Sequence, residues 1–131
     1  MLIVDDNPGD IRLAREVFDE AGLTTMITSA SDGVEAVTLL QAVALGEVPA
    51  PSLVLLDINM PRMNGFEVLA FLKRQPQLGG VPVFMLSSSR RPADASRAQQ
   101  LGADGYLVKP ESFEGYLELV ASLAKYLAPV G

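Results

Sequence analysis

Asp5, Asp6, Asp57, Ser87 and Lys109 each close a short apolar run. Leu2-Ile3-Val4 leads into Asp5-Asp6, Leu53-Val54-Leu55-Leu56 into Asp57, Val83-Phe84-Met85-Leu86 into Ser87, and Tyr106-Leu107-Val108 into Lys109. Three carboxylates, a hydroxyl and an ammonium suit the handling of phosphate and a divalent cation. Hard oxygen ligands without histidine or cysteine select Mg²⁺ or Mn²⁺. Taken singly, these residues have plainer explanations: Asp5 and Asp6 as turn residues, Ser87 as a small strand-end residue, Lys109 as a solvated charge. Yet two adjacent acids repel unless a cation or a lysine compensates. A lone carboxylate ending the most apolar run, as Asp57 does, would be strained. Beside a bound cation and an ammonium, Asp57 would stay ionised and could attack phosphorus as a nucleophile.

These residues meet only if the runs are neighbouring parallel strands, which would deliver all of them to the carboxyl edge where open α/β sheets bind ligands. The spacing between the runs supports this. Asn7-Pro8 reads as an N-cap followed by proline at the first helical position, and Ile11, Ala14, Val17, Phe18 and Ala21 form a helical apolar stripe that Gly22 stops. Thr24 to Ala30 reads as a second strand, and Gly33 opens a helix with Ala36, Val37, Leu40, Val43 and Ala44. Gly46 to Ser52 is a loop. The 53–57 run lacks alternation, which predicts a central strand buried on both faces. Val68, Leu69 and Leu72 define a third helix ending before Pro76, and Pro82 is tolerable at the first residue of the next strand.

A fourth helix (α4), about Ala93 to Leu101, offers only alanines and one leucine to the core and is expected to be weakly packed and mobile. After the turn Gly102-Ala103-Asp104-Gly105 comes a fifth strand (β5), Tyr106-Leu107-Val108. The last helix (α5) carries a seam of Phe113, Tyr116, Leu117, Val120, Leu123, Ala124 and Leu127. Five βα repeats without a second domain argue for a parallel sheet covered on both faces. Two topologies fit, and the flavodoxin-like (βα)5 sandwich with strand order 2-1-3-4-5 suits five strands.

The chain has 131 residues, enough for one domain with a real core, of which 49% are hydrophobic and 20% charged. A net charge of −6 disfavours nucleic acid and anionic membrane surfaces. With no cysteine and no histidine, disulfides, thiolate catalysis and His- or Cys-based metal sites are excluded. No apolar stretch approaches the roughly 20 residues that span a bilayer, and the start does not look like a signal peptide. A soluble cytoplasmic protein is the expectation. The first strand begins at residue 1 or 2, so a few native residues are expected to have been lost from the N-terminus.

Val4-Asp5-Asp6-Asn7, Leu56-Asp57-Ile58-Asn59-Met60-Pro61-Arg62-Met63-Asn64-Gly65, Leu86-Ser87 and Gly102-Ala103-Asp104-Gly105-Tyr106-Leu107-Val108-Lys109-Pro110 together resemble the receiver domain of two-component response regulators, over essentially the whole chain. The resemblance implies that Asp57 accepts a phosphoryl group from a partner kinase's phosphohistidine. It implies that Asp6 and Asp57 bind Mg²⁺ directly, Asp5 through water, and that the backbone carbonyl of Asn59 completes the protein ligands. Lys109 would pair with the phosphate, Ser87 would be the hydroxyl that moves to it, and Tyr106 would be the aromatic switch. The family usually has a cis peptide at the position of Lys109-Pro110, so a cis bond is expected. The chain would be a phosphoacceptor that assists its own phosphorylation and dephosphorylation, not an enzyme.

Two positions depart from the family pattern. Ser87 stands where threonine is common, which keeps the donor but loses a rotation-restricting methyl. Ser88 stands where alanine is usual, which bears on access to the phosphoryl group. Residues 1–131 are expected to form a single stand-alone receiver with no output domain. The run Asp5 to Leu13 and the serines Ser87, Ser88 and Ser89 look most like small receivers paired with bacterial phytochrome kinases. The implied partners are a sensor histidine kinase or a phosphotransfer protein, and a second copy through an α4-β5-α5 surface. Leu119 and Tyr126, expected on a side away from the α5 seam, read either as part of such a surface or as scattered apolar residues. Two other classes compete: a phosphorylation-independent interaction module, and an Mg²⁺-dependent phosphatase, which typically needs a second acid where this chain has Asn59.

Overall fold

Five short strands pair into one all-parallel sheet of order 2-1-3-4-5, as expected. The strands are β1 (Leu2–Val4), β2 (Thr28–Ala30), β3 (Val54–Leu56), β4 (Val83–Ser87) and β5 (Gly105–Val108). They alternate with helices α1 (Pro8–Glu20), α2 (Gly33–Ala44), α3 (Gly65–Lys73), α4 (Pro92–Gln100) and α5 (Phe113–Leu127), and a short 3₁₀ turn (Pro76–Leu78) follows α3. This computed structural model describes residues 1–22, 27–88 and 90–127, without the side chain of Leu127. Thr24 to Met26 of the expected second strand, Ser89 and the Leu127 end of the α5 seam lie outside that description.

Two apolar layers explain the run-on hydrophobicity of the strands. Side chains alternate across a pleated strand. Leu2, Val4, Val54, Leu56, Val83 and Met85 pack under α2 and α3, while Met1, Ile3, Leu53, Leu55 and Phe84 pack under α1 and α5. Strand β3 lies between β1 and β4 with every residue buried, which confirms it as central. The Asn7 side chain caps α1 by accepting from the N–H groups of Gly9 and Asp10. Gly22 ends that segment in the left-handed region, φ 71°. No described helix is long and apolar enough to cross a membrane.

Three expectations need correction. The Lys109-Pro110 peptide is trans, since there is no cis bond among the described residues. Trans is the favoured isomer of an X-Pro bond. Phe113 does not sit in the buried seam but is exposed. It is the first residue of α5, with no preceding helical turn to pack beneath it. Leu119 and Tyr126 are partly buried against the α1/α5 layer, and the Tyr126 ring meets Phe84 edge-on at 5.2 Å between centroids. They are spent on the fold because α5 packs against both α1 and the sheet, giving it a wider apolar face than one seam.

Candidate functional site

The register decides which side chains meet. Val4, Leu56, Met85 and Tyr106 form one row across β1, β3, β4 and β5. One residue further along their strands stand Asp5 and Asp57, and beyond them Asp6, Ser87 and finally Lys109. Backbone bonds extend the pairing past the strand ends: Asp57 N–H donates to Val4 O at 2.9 Å, and Lys109 N–H to Ser87 O at 2.8 Å.

The carboxylates of Asp5, Asp6 and Asp57 each place an oxygen within 4.8 Å of the others. Asp5 and Asp57 are buried, 4% and 7% exposed, whereas Asp6 is open to solvent. One open side, two sheltered acids and an all-oxygen donor set fit a hard divalent cation that keeps part of its water shell. The Lys109 ammonium donates to Asp5 Oδ2 at 2.9 Å and to Asp10 Oδ2 at 2.8 Å, and lies 3.6 Å from Asp57 Oδ2.

Crowding and burial shape the charges. Burial pushes the Asp57 carboxyl up to about 6, with the Asp5 and Asp6 charges adding to the rise, while Lys109 and a hydrogen bond from the Asn59 backbone N–H oppose it. Burial also raises Asp5, against the Asn7 N–H and Lys109. For Lys109, burial disfavours the ammonium, but hydrogen bonds to Asp10 and Asp5 and the charges of Asp5 and Asp57 outweigh it and hold the group above its ordinary range. A cation among the three carboxylates would relieve their mutual repulsion.

The loop after β3 is shaped to approach this pocket. Gly65 N–H donates to Ile58 O at 2.9 Å, and a Cβ at Gly65 would fall 2.1 Å from the Asp57 carbonyl oxygen. Only glycine permits that approach. Arg62 adopts φ 66°, unusual for a side-chain-bearing residue, and pairs with Asp32, the N-cap of α2.

Asp5, Asp6, Asp57 and Lys109 thus come together as expected, with Ser87 fully buried at the same edge. Asn59 is exposed and touches the site through its backbone. Tyr106 is not in the pocket: it is half-buried and packs against the α2/α3 layer. The sequence expectations missed Asp10, which looks like an ordinary acid in the first turn of a helix, and the Asp32–Arg62 pair, whose members lie 30 residues apart.

The chain matches the family described as Response regulator receiver domain over residues 1–121. It belongs to that family. It is 34% identical over 126 residues to the probable methanogenesis regulatory protein FilR2 of Methanothrix harundinacea, covering 96% of this chain and 81% of the relative. It is 32% identical over 127 residues to response regulator Rcp1 of Synechocystis, covering 96% and 86%. The crystal structure of the Mn²⁺-bound form of Rcp1 superposes on this receiver with a TM-score of 0.84 at 31% identity, covering 99% of this chain and 95% of the other. The phosphorylated cyanobacterial phytochrome response regulator RcpA superposes with a TM-score of 0.86 at 30% identity, covering 96% and 91%.

Proposed function

We propose that this receiver is a two-component response regulator that takes a phosphoryl group onto Asp57 from the phosphohistidine of a sensor histidine kinase. The observation that carries this is the meeting of Asp5, Asp6, Asp57 and Lys109 at the carboxyl edge of the sheet. A carboxylate oxygen of Asp57 attacks phosphorus, the phosphorus–nitrogen bond breaks, and its electron pair remains on the imidazole nitrogen. An aspartyl phosphate results. Lys109, within 4 Å of Asp57, supplies a positive charge to the equatorial oxygens. Asp6 and Asp57 directly, Asp5 through water and the Asn59 carbonyl would hold Mg²⁺, for which Mn²⁺ can substitute. When bound, the ion neutralises charge on the transferring phosphoryl group.

Phosphorylation adds about −1.5 to −2 charge units. The buried Ser87 hydroxyl is the donor drawn toward that charge, and Tyr106, on the neighbouring strand, responds to the space it vacates. The readout is the α4-β5-α5 surface, used for partner binding or dimerisation in the cytoplasm. The likeness to RcpA supports a bacterial phytochrome as the kinase, directly or through a phosphotransfer protein. The net charge of −6 supports a protein partner rather than nucleic acid or membrane. A phosphatase is disfavoured because Asn59, where such enzymes place a general acid, cannot donate a proton as a carboxylic acid does.

Acetyl phosphate with Mg²⁺ should add a single phosphoryl mass to the protein and none to Asp57→Asn or to metal-depleted protein. Labelling of Asp57→Asn at full stoichiometry would refute the assignment.

A further inference from the structure

Asp10 takes no part in the transfer described above, yet it holds the lysine that does. The Lys109 ammonium donates to Asp10 at 2.8 Å and to Asp5 at 2.9 Å, while Asp57 Oδ2 stands at 3.6 Å, outside hydrogen-bond range. An ammonium has three donors. Two are committed to acids on the α1 side of the pocket before any phosphate arrives.

The two holders differ in kind. Asp5 is buried and also accepts from the Asn7 N–H at 2.9 Å, so it is part of the scaffold. The Asp10 carboxylate is 30% exposed, and its backbone is fixed independently by the Asn7 cap. We propose that Asp10 is a positioning residue that parks Lys109 away from Asp57 and yields it when the phosphoryl group forms, and so sets how fast Asp57 is phosphorylated. This rests on the reading of Asp57 as the acceptor. The more highly charged phosphoryl group outcompetes a single partly exposed carboxylate for the ammonium, whereas an unmodified Asp57 does not.

The test is Asp10→Asn, which keeps size and a carbonyl acceptor but removes the charge, with acetyl phosphate and Mg²⁺ and intact mass as readout. The maximal labelling rate should rise about tenfold, the equivalent of about 1.4 kcal/mol. The half-saturating donor concentration should stay put, and the ratio to the parent should persist at high salt, because a contact pair is screened less than separated charges. Asp10→Ser should behave alike, which keeps the test usable if the amide variant folds poorly. An unchanged or slower rate in either folded variant overturns the proposal, as does an acceleration confined to donor affinity or lost at high salt, which would mean simple repulsion of the donor. A purely structural role would lower the thermal midpoint and leave the rate alone. If the folded parent takes no label while binding Mg²⁺, the acceptor reading itself fails; a parent that labels at the same rate as Asp10→Asn removes only Asp10.

Discussion

Helices α3 and α4 flank the same face of the sheet but are anchored very differently. Phe66, Val68, Leu69 and Leu72 of α3 are buried, and its N-terminus carries a complete capping box from Asn64 and Glu67. In α4 only Ala98 is buried, and the N-cap position, Arg91, contributes no side-chain cap. Beneath α4 every residue of β5 is only partly covered. One further tie is the Arg97 guanidinium, 4.5 Å over the Phe66 ring. The acid pocket adjoins both regions: Asp57 leads into the α3 side, and Lys109 follows β5. A charge change there acts on a rigid frame and a loosely held one together. The loose one has less to lose by moving.

The sharpest contrast should come from truncation. Leu69→Ala removes a fully buried side chain from α3 and should cost about 3 kcal/mol of unfolding free energy. Ala98→Gly, the corresponding insult to α4, should cost about 1 kcal/mol, mostly through helix propensity. Chemical denaturation of both variants measures the gap, and equal costs would break the comparison.

Acidity should act on the pocket next. Asp57 and Asp5 titrate higher in the folded protein than in the unfolded chain, so the folded state binds more protons between pH 4 and about 6. Stability from Asp57 is therefore fully present at the lower end and lost as pH rises through about 6, and Asp5 acts in the same direction. Asp32, held low chiefly by the Glu35 N–H, works in the opposite sense but only below the ordinary carboxylate range. In metal-free buffer the melting temperature should be several degrees higher at pH 5 than at pH 7.5. Saturating Mg²⁺ at pH 7.5 should recover most of that difference.

Arg62 offers a smaller effect on the rigid side. Arg62→Gly relieves the left-handed backbone while losing an ion pair with a largely exposed arginine, and should leave stability nearly unchanged. Arg62→Ala keeps the strain and loses the pair, so it should be about 1 kcal/mol less stable than Arg62→Gly. Similar values for the two would mean that φ 66° carries no strain. Arg97→Ala should be the mildest, about 0.5 kcal/mol, while raising amide exchange within α4.

Much of this was legible in the sequence because strand ends are. In an all-parallel sheet with short strands, whatever follows each apolar run arrives at one edge, so Asp5, Asp57, Ser87 and Lys109 could be placed from their neighbours. The poverty of α4 was equally plain from its alanines. Asp10 was hidden because a first-turn acid already has a sufficient local reason to be there. Arg62 and Asp32 were hidden because nothing in their separate contexts links two loops 30 residues apart. The misplacement of Leu119 and Tyr126 has a geometric cause: α5 touches both α1 and the Phe84 side of the sheet, so one periodic stripe underestimates its buried face.

The proposed phosphorylation of Asp57 has its readout on the loosely held side of the sheet. Amide hydrogen exchange, followed peptide by peptide with Mg²⁺ alone and then with Mg²⁺ and beryllofluoride as the phosphoryl mimic, tests it directly. Exchange in α4 and β5 should change severalfold while the α3 amides stay as they were. Equal changes in α3 and α4, or a response confined to α3, would contradict it.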